Sequence, residues 1–258
     1  MSVQSASANR ALVTGAGKRL GQSMAKALAA RGFQVALHYN SSDEGARDTL
    51  EAVKSVGGDG VLVQADLSDE QALGALVGDA SSKVGGAIGL LVNNAAIFEE
   101  DDIQNHSKES WDKHMALNLR APVRLSQAFA EQLPAEEKGL IVNVIDQRVW
   151  KLAPTFFSYT LSKSALWTAT QTMAQGLAPN IRVNAIGPGP TLQNDRQSPD
   201  DFKAQVKATL TEEGASPEDI AQALLYFVDA SAVTGQMLAV DGGQHLIWRT
   251  PDIDGVVE

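Results

Sequence analysis

Short hydrophobic runs alternate with longer amphipathic stretches along almost the whole chain. Short, nearly continuous apolar runs are typical of strands that are buried on both faces of a parallel sheet. The run Gly-Leu-Leu-Val at 89–92 is one example. The pattern predicts seven strands: Ala11–Thr14, Gln34–Tyr39, Val61–Gln64, Gly89–Val92, Leu140–Ile145, Arg182–Ile186 and Met237–Val240.

The stretches between these runs have the length and the apolar spacing of helices. The predicted helices are Leu20–Arg31, Asp43–Val56, Asp69–Val84, Ser107–Gln132, Phe156–Leu177 and Pro217–Asp229. A helix between consecutive strands implies parallel β-α-β units. We therefore predict an α/β fold in which residues 1–258 form a single domain. Its sheet is a doubly wound, seven-stranded parallel sheet with helices on both faces.

One segment, Gly187 to Ala215, breaks the alternation because it is polar and interrupted by prolines. It follows the carboxyl end of a strand, where sheets of this kind bind ligands. We interpret it as a lid over a substrate, the alternative being a disordered insertion. Residues 1–9 are rich in Ser, Ala, Gln and Asn and lack the apolar segment of a secretory signal. We interpret them as a frayed leader.

Composition narrows the classes of function. Of the 258 residues, 44% are hydrophobic, which suits one domain with a large core. The formal net charge of −10 argues against nucleic-acid binding, since an acidic surface repels phosphate. The absence of cysteine excludes disulfides and thiolate chemistry, and the four histidines lack the spacing of metal ligands. No apolar run approaches the roughly 20 residues that cross a bilayer. We expect a cytoplasmic protein with no metal site.

A glycine-rich turn links the first predicted strand to the first helix, with the sequence Thr-Gly-Ala-Gly-Lys-Arg-Leu-Gly at 14–21. Glycines at such a turn let the backbone approach a pyrophosphate, and the helix N-terminus supplies free N–H groups. The placement after the first strand is that of a Rossmann-type dinucleotide site. We expect Gly15, Lys18, Arg19 and Leu20 to contact a cofactor, although a solvated surface side chain remains the alternative for Arg19.

This loop resembles that of the short-chain dehydrogenase/reductase family, which reads Thr-Gly-x-x-x-Gly-x-Gly. Gly15 and Gly21 match, whereas Arg19 stands at the middle glycine. The variant Thr-Gly-x-x-Lys-Arg-Leu-Gly resembles the pteridine reductase branch of that family. The resemblance spans roughly Arg10 to Leu246. It implies a homotetramer that acts on a small molecule.

Further motifs extend the resemblance in chain order. Asp66-Leu67 is similar to the family's adenine-contacting pair, and Asn93-Asn94-Ala95 is similar to its Asn-Asn-Ala-Gly. Taken singly, Asp66 fits a helix cap and Asn93 fits a turn. The additional cofactor contacts that the resemblance implies are Asp66, Leu67, Asn93, Ala95, Pro188 and Gly189.

The end of the second strand favours NADP(H) over NAD(H). NAD-preferring enzymes usually place an acidic residue there, which accepts hydrogen bonds from the ribose. Here His38 and Tyr39 end the strand, and Asn40, Ser41 and Ser42 follow, with no earlier carboxylate than position 43. A 2′-phosphate would meet hydroxyl, amide and N–H groups instead of a repelling charge. An ordinary helix N-cap cluster explains the same residues, and both interpretations are compatible.

Tyr159 and Lys163 are the candidate catalytic pair. Their four-residue spacing places both on one face of a helix. A free tyrosine is a poor acid–base group at neutral pH, and we expect the lysine ammonium to lower the pKa of Tyr159. The lysine also serves to hold the nicotinamide ribose. The resemblance adds Asn118, which in the family links this lysine to solvent; a helix-bridging Asn is the alternative.

Asp146 is the most informative position. The usual family member has Ser about 13 residues before the Tyr, where it donates a hydrogen bond to a carbonyl, but here the residue is Asp. An ionised carboxylate only accepts hydrogen bonds and opposes a developing alkoxide. Either Asp146 holds a proton, or the substrate presents N–H donors, as a pterin ring does. The pteridine reductase branch also has Asp there. That branch places a stacking Phe where Phe98 stands, but often a Ser where this chain has Ala96.

The leading hypothesis is therefore an NADPH-dependent reductase that transfers hydride to a C=N carbon of a pteridine-like or dihydrofolate-like ring. Tyr159 and Asp146 would deliver the proton, and Phe98 would contact the substrate. The first alternative keeps the fold and cofactor but reduces a ketone or a 3-oxoacyl group. The second is a non-catalytic NADP(H) sensor, which the intact Tyr159 and Lys163 disfavour.

Overall fold

The computed structural model describes residues 9–194, 196–250 and 254. In this part of the chain, seven parallel strands form one sheet in the order β3-β2-β1-β4-β5-β6-β7. The strands are β1 Arg10–Val13, β2 Gln34–Tyr39, β3 Asp59–Gln64, β4 Leu90–Asn93, β5 Gly139–Val144, β6 Ile181–Pro188 and β7 Met237–Val240. The predicted doubly wound Rossmann-type sheet is confirmed, although most strand ends differ from the predicted bounds by one or two residues.

The helices connect these strands and lie on both faces of the sheet. They are α1 Arg19–Ala30, α2 Asp43–Ser55, α3 Glu70–Lys83, α4 Lys108–Met115, α5 Ala121–Gln132, α6 Phe157–Gly176, α7 Pro199–Lys207 and α8 Pro217–Asp229. Two short 3₁₀ turns, Gln147–Val149 and Gln244–Leu246, follow β5 and β7. None of the helices in the described ranges is long and apolar enough to span a bilayer.

Alternate residues of each central strand supply two separate cores. On β1, Val13 packs on one face with Met24, and Leu12 packs on the other with Leu73 and Phe129. All of these side chains are fully or almost fully buried. Each such burial stabilises the fold by about 1.5–3 kcal/mol. A sheet anchored on both faces holds the carboxyl ends of its strands in a fixed arrangement.

The segment predicted as one helix, Ser107–Gln132, is interrupted. Helix α4 ends at Met115, a π-helical turn covers Ala116–Arg120, and α5 begins at Ala121. Asn118 lies inside that turn, and its side chain bonds both the N–H and the C=O of Ile97, at 2.9 and 3.0 Å. Such turns are frequent at functional sites, and a hydrophobic pattern gives no sign of one.

The predicted lid segment contains a helix that sequence analysis did not predict. Strand β6 extends to Pro188, and α7 begins with a capping box formed by Ser198 and Asp201. No residue of α7 is buried. A helix without a buried face needs no strong apolar stripe, so the hydrophobic pattern did not predict it. Residue 195 of the lid and residues 1–8 of the predicted leader lie outside the described residues.

We predict that Gly21→Ala destabilises the protein. A Cβ at Gly21 in α1 would lie 2.3 Å from the Gly15 carbonyl oxygen and 2.8 Å from Asn94 Nδ2, so the turn and helix must separate. The matched control is Gly78→Ala in α3, where nothing lies within 4 Å of the new Cβ. That change should stabilise the helix by about 1 kcal/mol. Thermal unfolding measures both, and a Gly21→Ala protein as stable as wild type would contradict the packing argument.

Candidate active site

The carboxyl ends of the parallel strands meet at one edge of the sheet, beside a cleft of about 440 Å³. Its lining comes from the glycine-rich turn, the end of β5, helix α6 and the lid segment. A cleft of this size suits a small organic ligand. The expected site residues that line it are Gly15, Lys18, Arg19, Leu20, Ala95, Phe98, Asp146, Tyr159, Lys163, Pro188 and Gly189.

The other expected site residues lie outside this lining. Tyr39 ends β2, and Asn40, Ser41 and Ser42 follow it beside the glycine-rich turn, where Ser42 approaches Gly17. Asp66 and Leu67 follow β3 at the same edge of the sheet, and Asp66 accepts two hydrogen bonds from Ser68. The side chains of His38, Asn93 and Asn118 are buried inside the protein.

Tyr159, Asp146 and Lys163 meet at the floor of the cleft. The Tyr159 hydroxyl donates a hydrogen bond to Asp146 Oδ2 at 3.0 Å. Lys163 Nζ donates to the Val144 carbonyl at 2.8 Å and lies 5.8 Å from the centre of the Tyr159 ring. Both Tyr159 and Lys163 are buried. The helical spacing inferred from the sequence therefore brings the pair together with Asp146.

The protonation state of Tyr159 differs from the expectation. Burial, followed by the adjacent charge of Asp146, raises the pKa of Tyr159 well above its usual value. Burial lowers the pKa of Lys163 to about 8, although the Asp146 charge opposes that shift. The expected lowering of the tyrosine pKa was wrong for this arrangement, because the hydroxyl is buried and bonds the carboxylate, whereas the ammonium does not bond the hydroxyl. Tyr159 is thus a protonated donor at neutral pH.

Asp146 is held by the backbone that follows β5. Its Oδ1 accepts a hydrogen bond from the Arg148 N–H at 2.7 Å, which caps the 3₁₀ turn Gln147–Val149. The pKa of Asp146 is raised above its ordinary value, because burial outweighs the opposing effects of this bond, the Arg148 charge and the Tyr159 hydroxyl. Each carboxylate oxygen therefore accepts one hydrogen bond and keeps capacity for another, and Asp146 lines the cleft.

Hydrogen bonds hold the glycine-rich turn to residues of the neighbouring strands β2 and β4 and the segment after β4. Thr14 Oγ1 accepts hydrogen bonds from the N–H groups of Asn94 and Ala95, at 2.9 and 3.0 Å. Asn94 Nδ2 donates to the carbonyls of Thr14 and Gly15, at 2.8 and 3.1 Å. His38 Nδ1 accepts from the Gly15 N–H at 3.1 Å. Asn94 was expected only as part of the Asn93-Asn94-Ala95 motif, with no role of its own.

His38 serves the turn instead of presenting a free ring. Its Nε2 lies 3.1 Å from the Ala65 carbonyl, so Nε2 carries the proton while Nδ1 accepts. Burial lowers the pKa of His38, which keeps the ring neutral. Both ring nitrogens of His38 are bonded within the protein. The side chain therefore has no free polar atom for the predicted contact with the cofactor.

Asn93 and Asn118 bridge elements of the scaffold. Asn93 Nδ2 donates to Asn143 Oδ1 at 2.9 Å, and Asn143 Nδ2 donates to Thr170 Oγ1 at 2.9 Å, which joins β4, β5 and α6. Asn118 Nδ2 donates to Ser162 Oγ at 3.1 Å, next to Lys163 in the chain. The helix-bridging alternative for Asn118 therefore matches its direct contacts.

The turn fits the pyrophosphate of a dinucleotide. Gly15 has a φ of +63°, and a Cβ there would lie 3.0 Å from the Ala95 Cα, so only glycine leaves the backbone accessible. Lys18 precedes α1 without a side-chain cap, so the first N–H groups of that helix have no side-chain acceptor. Arg19 donates to the lid carbonyls of Leu192 and Gln193, at 3.1 and 2.9 Å. This contact ties the lid to the turn.

Within the described residues, no three His, Cys, Asp or Glu side chains form a group that could hold a metal ion.

Phe98 lies in an aromatic group that sequence analysis missed. Its ring stacks on Phe156, with centroids 4.1 Å apart and planes at 11°, and meets Tyr159 edge-on at 4.6 Å. Phe156 precedes α6 and has a φ of +57°, an uncommon conformation for a bulky residue. The guanidinium of Arg196 lies 5.0 Å from the Phe98 ring centre. The sequence does show an aromatic residue, Phe156, just before the helix that carries Tyr159. It does not show that this residue has a left-handed backbone or that its ring stacks on Phe98.

The start of α6, which carries Tyr159, is capped by a distant residue. Phe156 provides no side-chain cap, and Asp101 accepts instead from the Ser158 N–H at 3.0 Å through Oδ1 and from the Phe157 N–H at 3.1 Å through its carbonyl. Although burial opposes it, bonding from Ser158 and Ser110 lowers the pKa of Asp101. A buried carboxylate at a helix N-terminus is also favoured by the helix dipole. Asp101 thus sets the position of Tyr159.

The chain is similar to known proteins along most of its length. Residues 15–245 match a family model described as enoyl-(acyl carrier protein) reductase. The chain is 35% identical over 243 residues to 3beta-hydroxysteroid dehydrogenase 1 of Eggerthella lenta, covering 91% of this chain and 93% of that protein. It is 29% identical to 3-oxoacyl-(acyl-carrier-protein) reductase FabG of Staphylococcus aureus, covering 92% and 98%.

A solved structure is more similar still. FolM alternative dihydrofolate reductase 1 from Brucella suis, crystallised in complex with NADP, is 48% identical and superimposes with a TM-score of 0.92. The match covers 96% of this chain and 99% of that one. The fold and most of the length are therefore shared with reductases of several substrate classes.

We predict that Asp101→Ala loosens the start of α6. Loss of the cap should lower the free energy of unfolding by about 1 kcal/mol and increase hydrogen exchange at residues 157–160. The matched control is Asp69→Ala, which removes the exposed cap that accepts from Ala72 N–H at 2.7 Å at the start of α3. Thermal unfolding and hydrogen exchange measure both variants. Equal exchange at residues 157–160 in the two variants would contradict the positioning role.

Proposed function

This chain belongs to the short-chain dehydrogenase/reductase family of oxidoreductases, and on that premise we propose that it is an NADPH-dependent reductase of a pteridine-type or dihydrofolate-type C=N bond. The observation that carries the proposal is the hydrogen bond between Tyr159 and Asp146 at the cleft floor. Similarity to a FolM alternative dihydrofolate reductase supports it independently.

Asp146 supports a substrate with N–H donors. A ketone reductase needs a hydrogen-bond donor beside the developing alkoxide, and a carboxylate opposes that charge. A reduced pteridine ring presents N–H groups, which the free lone pairs of Asp146 accept. The substrate ring would then lie against Tyr159 and the edge of Phe98, which contacts Tyr159 at 4.6 Å.

Tyr159 supports the reductive direction. Burial and the Asp146 charge raise the pKa of Tyr159, so the hydroxyl holds its proton at neutral pH and has one to donate in reduction. Reduction of C=N consumes one hydride and one proton, and Tyr159 donates its proton to the ring nitrogen. Asp146, hydrogen-bonded to the same hydroxyl, orients that donor. Lys163 provides a positive charge beneath the pair and is fixed by the Val144 carbonyl.

The proposed cofactor is NADP(H), which supplies the hydride when bound. The glycine-rich turn and the N-terminus of α1 would hold its pyrophosphate. Tyr39, Asn40, Ser41 and Ser42 present no carboxylate to a 2′-phosphate, and Asp43 is paired with Arg47 at 2.9 Å. Neighbouring structures crystallised with NADP support this assignment. Binding of NADH that is tighter than binding of NADPH would refute it.

A second candidate is reduction of a ketone or a 3-oxoacyl group. Burial raises the pKa of Asp146, and a protonated carboxyl could donate to a carbonyl oxygen. The 29% identity to a 3-oxoacyl-(acyl-carrier-protein) reductase favours the same candidate.

We also propose that the active form is a homotetramer. An apolar groove of about 550 Å³ lies between α5 and α6. Its lining includes Val123, Ala130, Met173 and Leu177. Apolar surface of this kind is usually covered by a partner, and a second copy of the chain would bury it.

We predict NADPH oxidation with 7,8-dihydrobiopterin or 7,8-dihydrofolate. Replacing Asp146 with Ser should lower this rate about a hundredfold, because proton delivery to the ring nitrogen is disrupted, and should favour ketones. The Asp146→Asn variant tests the carboxylate charge at nearly constant shape. Absorbance at the NADPH band measures all reactions. Activity confined to ketones, or an unchanged preference in Asp146→Ser, would contradict the first function. Cofactor binding with no turnover on pterins, folates or carbonyls would indicate a sensor.

We predict that kcat/KM falls as pH rises through about 8, the pKa of Lys163 in the free enzyme. Below that pH the ammonium is present; above it the charge is lost, while Tyr159 stays protonated. The Asp146 charge raises the pKa of Lys163, so Asp146→Asn should move the midpoint to lower pH. Initial rates across pH give both midpoints. A midpoint near the ordinary lysine value in wild type, or an upward shift in the variant, would contradict this account.

A further inference from the structure

Two arginines beside the cleft form no ion pair with a carboxylate among the described residues: Arg148 lines the cleft, and Arg196 lies between the lining residues Asn194 and Gln197. Arg148 lies two residues after Asp146, and Arg196 lies in the lid. Their guanidinium groups face aromatic rings: Arg148 is 5.2 Å from the centre of Phe156, and Arg196 is 5.5 Å from it. Arginines elsewhere on the surface form ion pairs with carboxylates, as in Arg31, Arg47 and Arg120.

Arg148 also carries an unsatisfied donor. Its Nε is buried without a hydrogen-bond partner, and its Nη1 reaches the Thr155 carbonyl only at 3.5 Å. The nearby Asp146 carboxylate is already bonded to the Arg148 backbone N–H and to Tyr159. A buried charged donor without an acceptor is unfavourable, and an anionic oxygen that binds the exposed Nη side of this guanidinium would compensate its charge.

The groups are ordered from the reacting atoms outward. Tyr159 meets Phe98 edge-on, Phe98 stacks on Phe156, and the two arginines lie against this aromatic pair. A substituent that extends from the ring along this aromatic pair ends beside the guanidinium groups of Arg148 and Arg196. The path fits a planar spacer that ends in an anion.

We propose that Arg148 and Arg196 are specificity-determining residues that bind the anionic end of the substrate's side chain. The inference rests on the proposed function and narrows it: the enzyme prefers a reduced pterin with an aromatic, carboxylate-bearing substituent over a pterin with a neutral side chain. The protein carries a net charge of −10, which repels anions at a distance. Local cations at the mouth are therefore needed to hold such a substrate.

The test compares two substrates that share the reactive ring. 7,8-Dihydrofolate carries an aromatic spacer with two carboxylates, and 7,8-dihydrobiopterin carries a neutral side chain. Arg148→Gln and Arg196→Gln should each raise the KM for dihydrofolate by about tenfold, the effect of losing one charge-assisted hydrogen bond. The KM for dihydrobiopterin should change much less. Arg196→Lys should retain part of the dihydrofolate affinity because it keeps the charge.

Arg31→Gln is the matched control. It makes the same change in net charge far from the cleft, where Arg31 pairs with Asp229 at 2.8 Å. It should leave both KM values at the wild-type level. Equal rises for the two substrates, no rise for either, or the same selective rise in the control would overturn the proposal.

Binding of the side chain alone separates this inference from the proposed function. Calorimetry with p-aminobenzoyl-glutamate, which lacks the pterin ring, should detect binding to the wild type and a loss of roughly tenfold or more in the double Gln variant. If neither pterin is turned over but this difference persists, the proposed reaction is wrong and the anion site stands. Binding that is absent in the wild type, or equal in both proteins, overturns the anion site.

Discussion

The hydrogen bond from Tyr159 to Asp146 is the contact on which the arrangement of the other cleft residues depends. It joins a hydroxyl to a carboxyl group in a place where burial makes charge unfavourable. Because Asp146 also accepts from the Arg148 N–H, the carboxylate has a fixed orientation before any ligand arrives. The hydroxyl is therefore presented as an acid, and Lys163 supplies the compensating positive charge within the same buried region.

That contact joins two different elements, and buried polar bonds hold those elements in register. Asp146 follows β5, and Tyr159 belongs to α6. The bond from Asn143 on β5 to Thr170 on α6 ties the two together in the core, and Asn93 extends the tie to β4. Buried polar networks of this kind favour one packing arrangement, since a shift would break bonds that buried groups cannot replace. The catalytic geometry is thus a property of the sheet and its covering helix.

The glycine-rich turn depends on the same principle at the neighbouring strands. Thr14, Asn94 and His38 bond the turn to β4 and β2, and Gly21 allows α1 to approach it closely. Cofactor site and acid–base site are therefore anchored to one rigid edge. The lid contacts that edge through Arg19, so its position is coupled to the turn. Positive charge lies at the cleft mouth of a protein that is acidic overall.

The sequence by itself determined the features that depend on local pattern. Apolar periodicity located the strands and every helix of the described residues except α7, with α4 and α5 predicted as one. The glycines identified the turn at 14–21, and the spacing of Tyr159 and Lys163 required only helical geometry. The position of Asp146 likewise followed from the end of the fifth predicted strand and from its spacing of 13 residues before Tyr159. The tertiary structure alone decided what depends on distant residues meeting: the cap from Asp101, the stack of Phe98 on Phe156, and the raised pKa of Tyr159. A pKa follows from burial and from which charge lies nearest, and neither is set until the chain has folded.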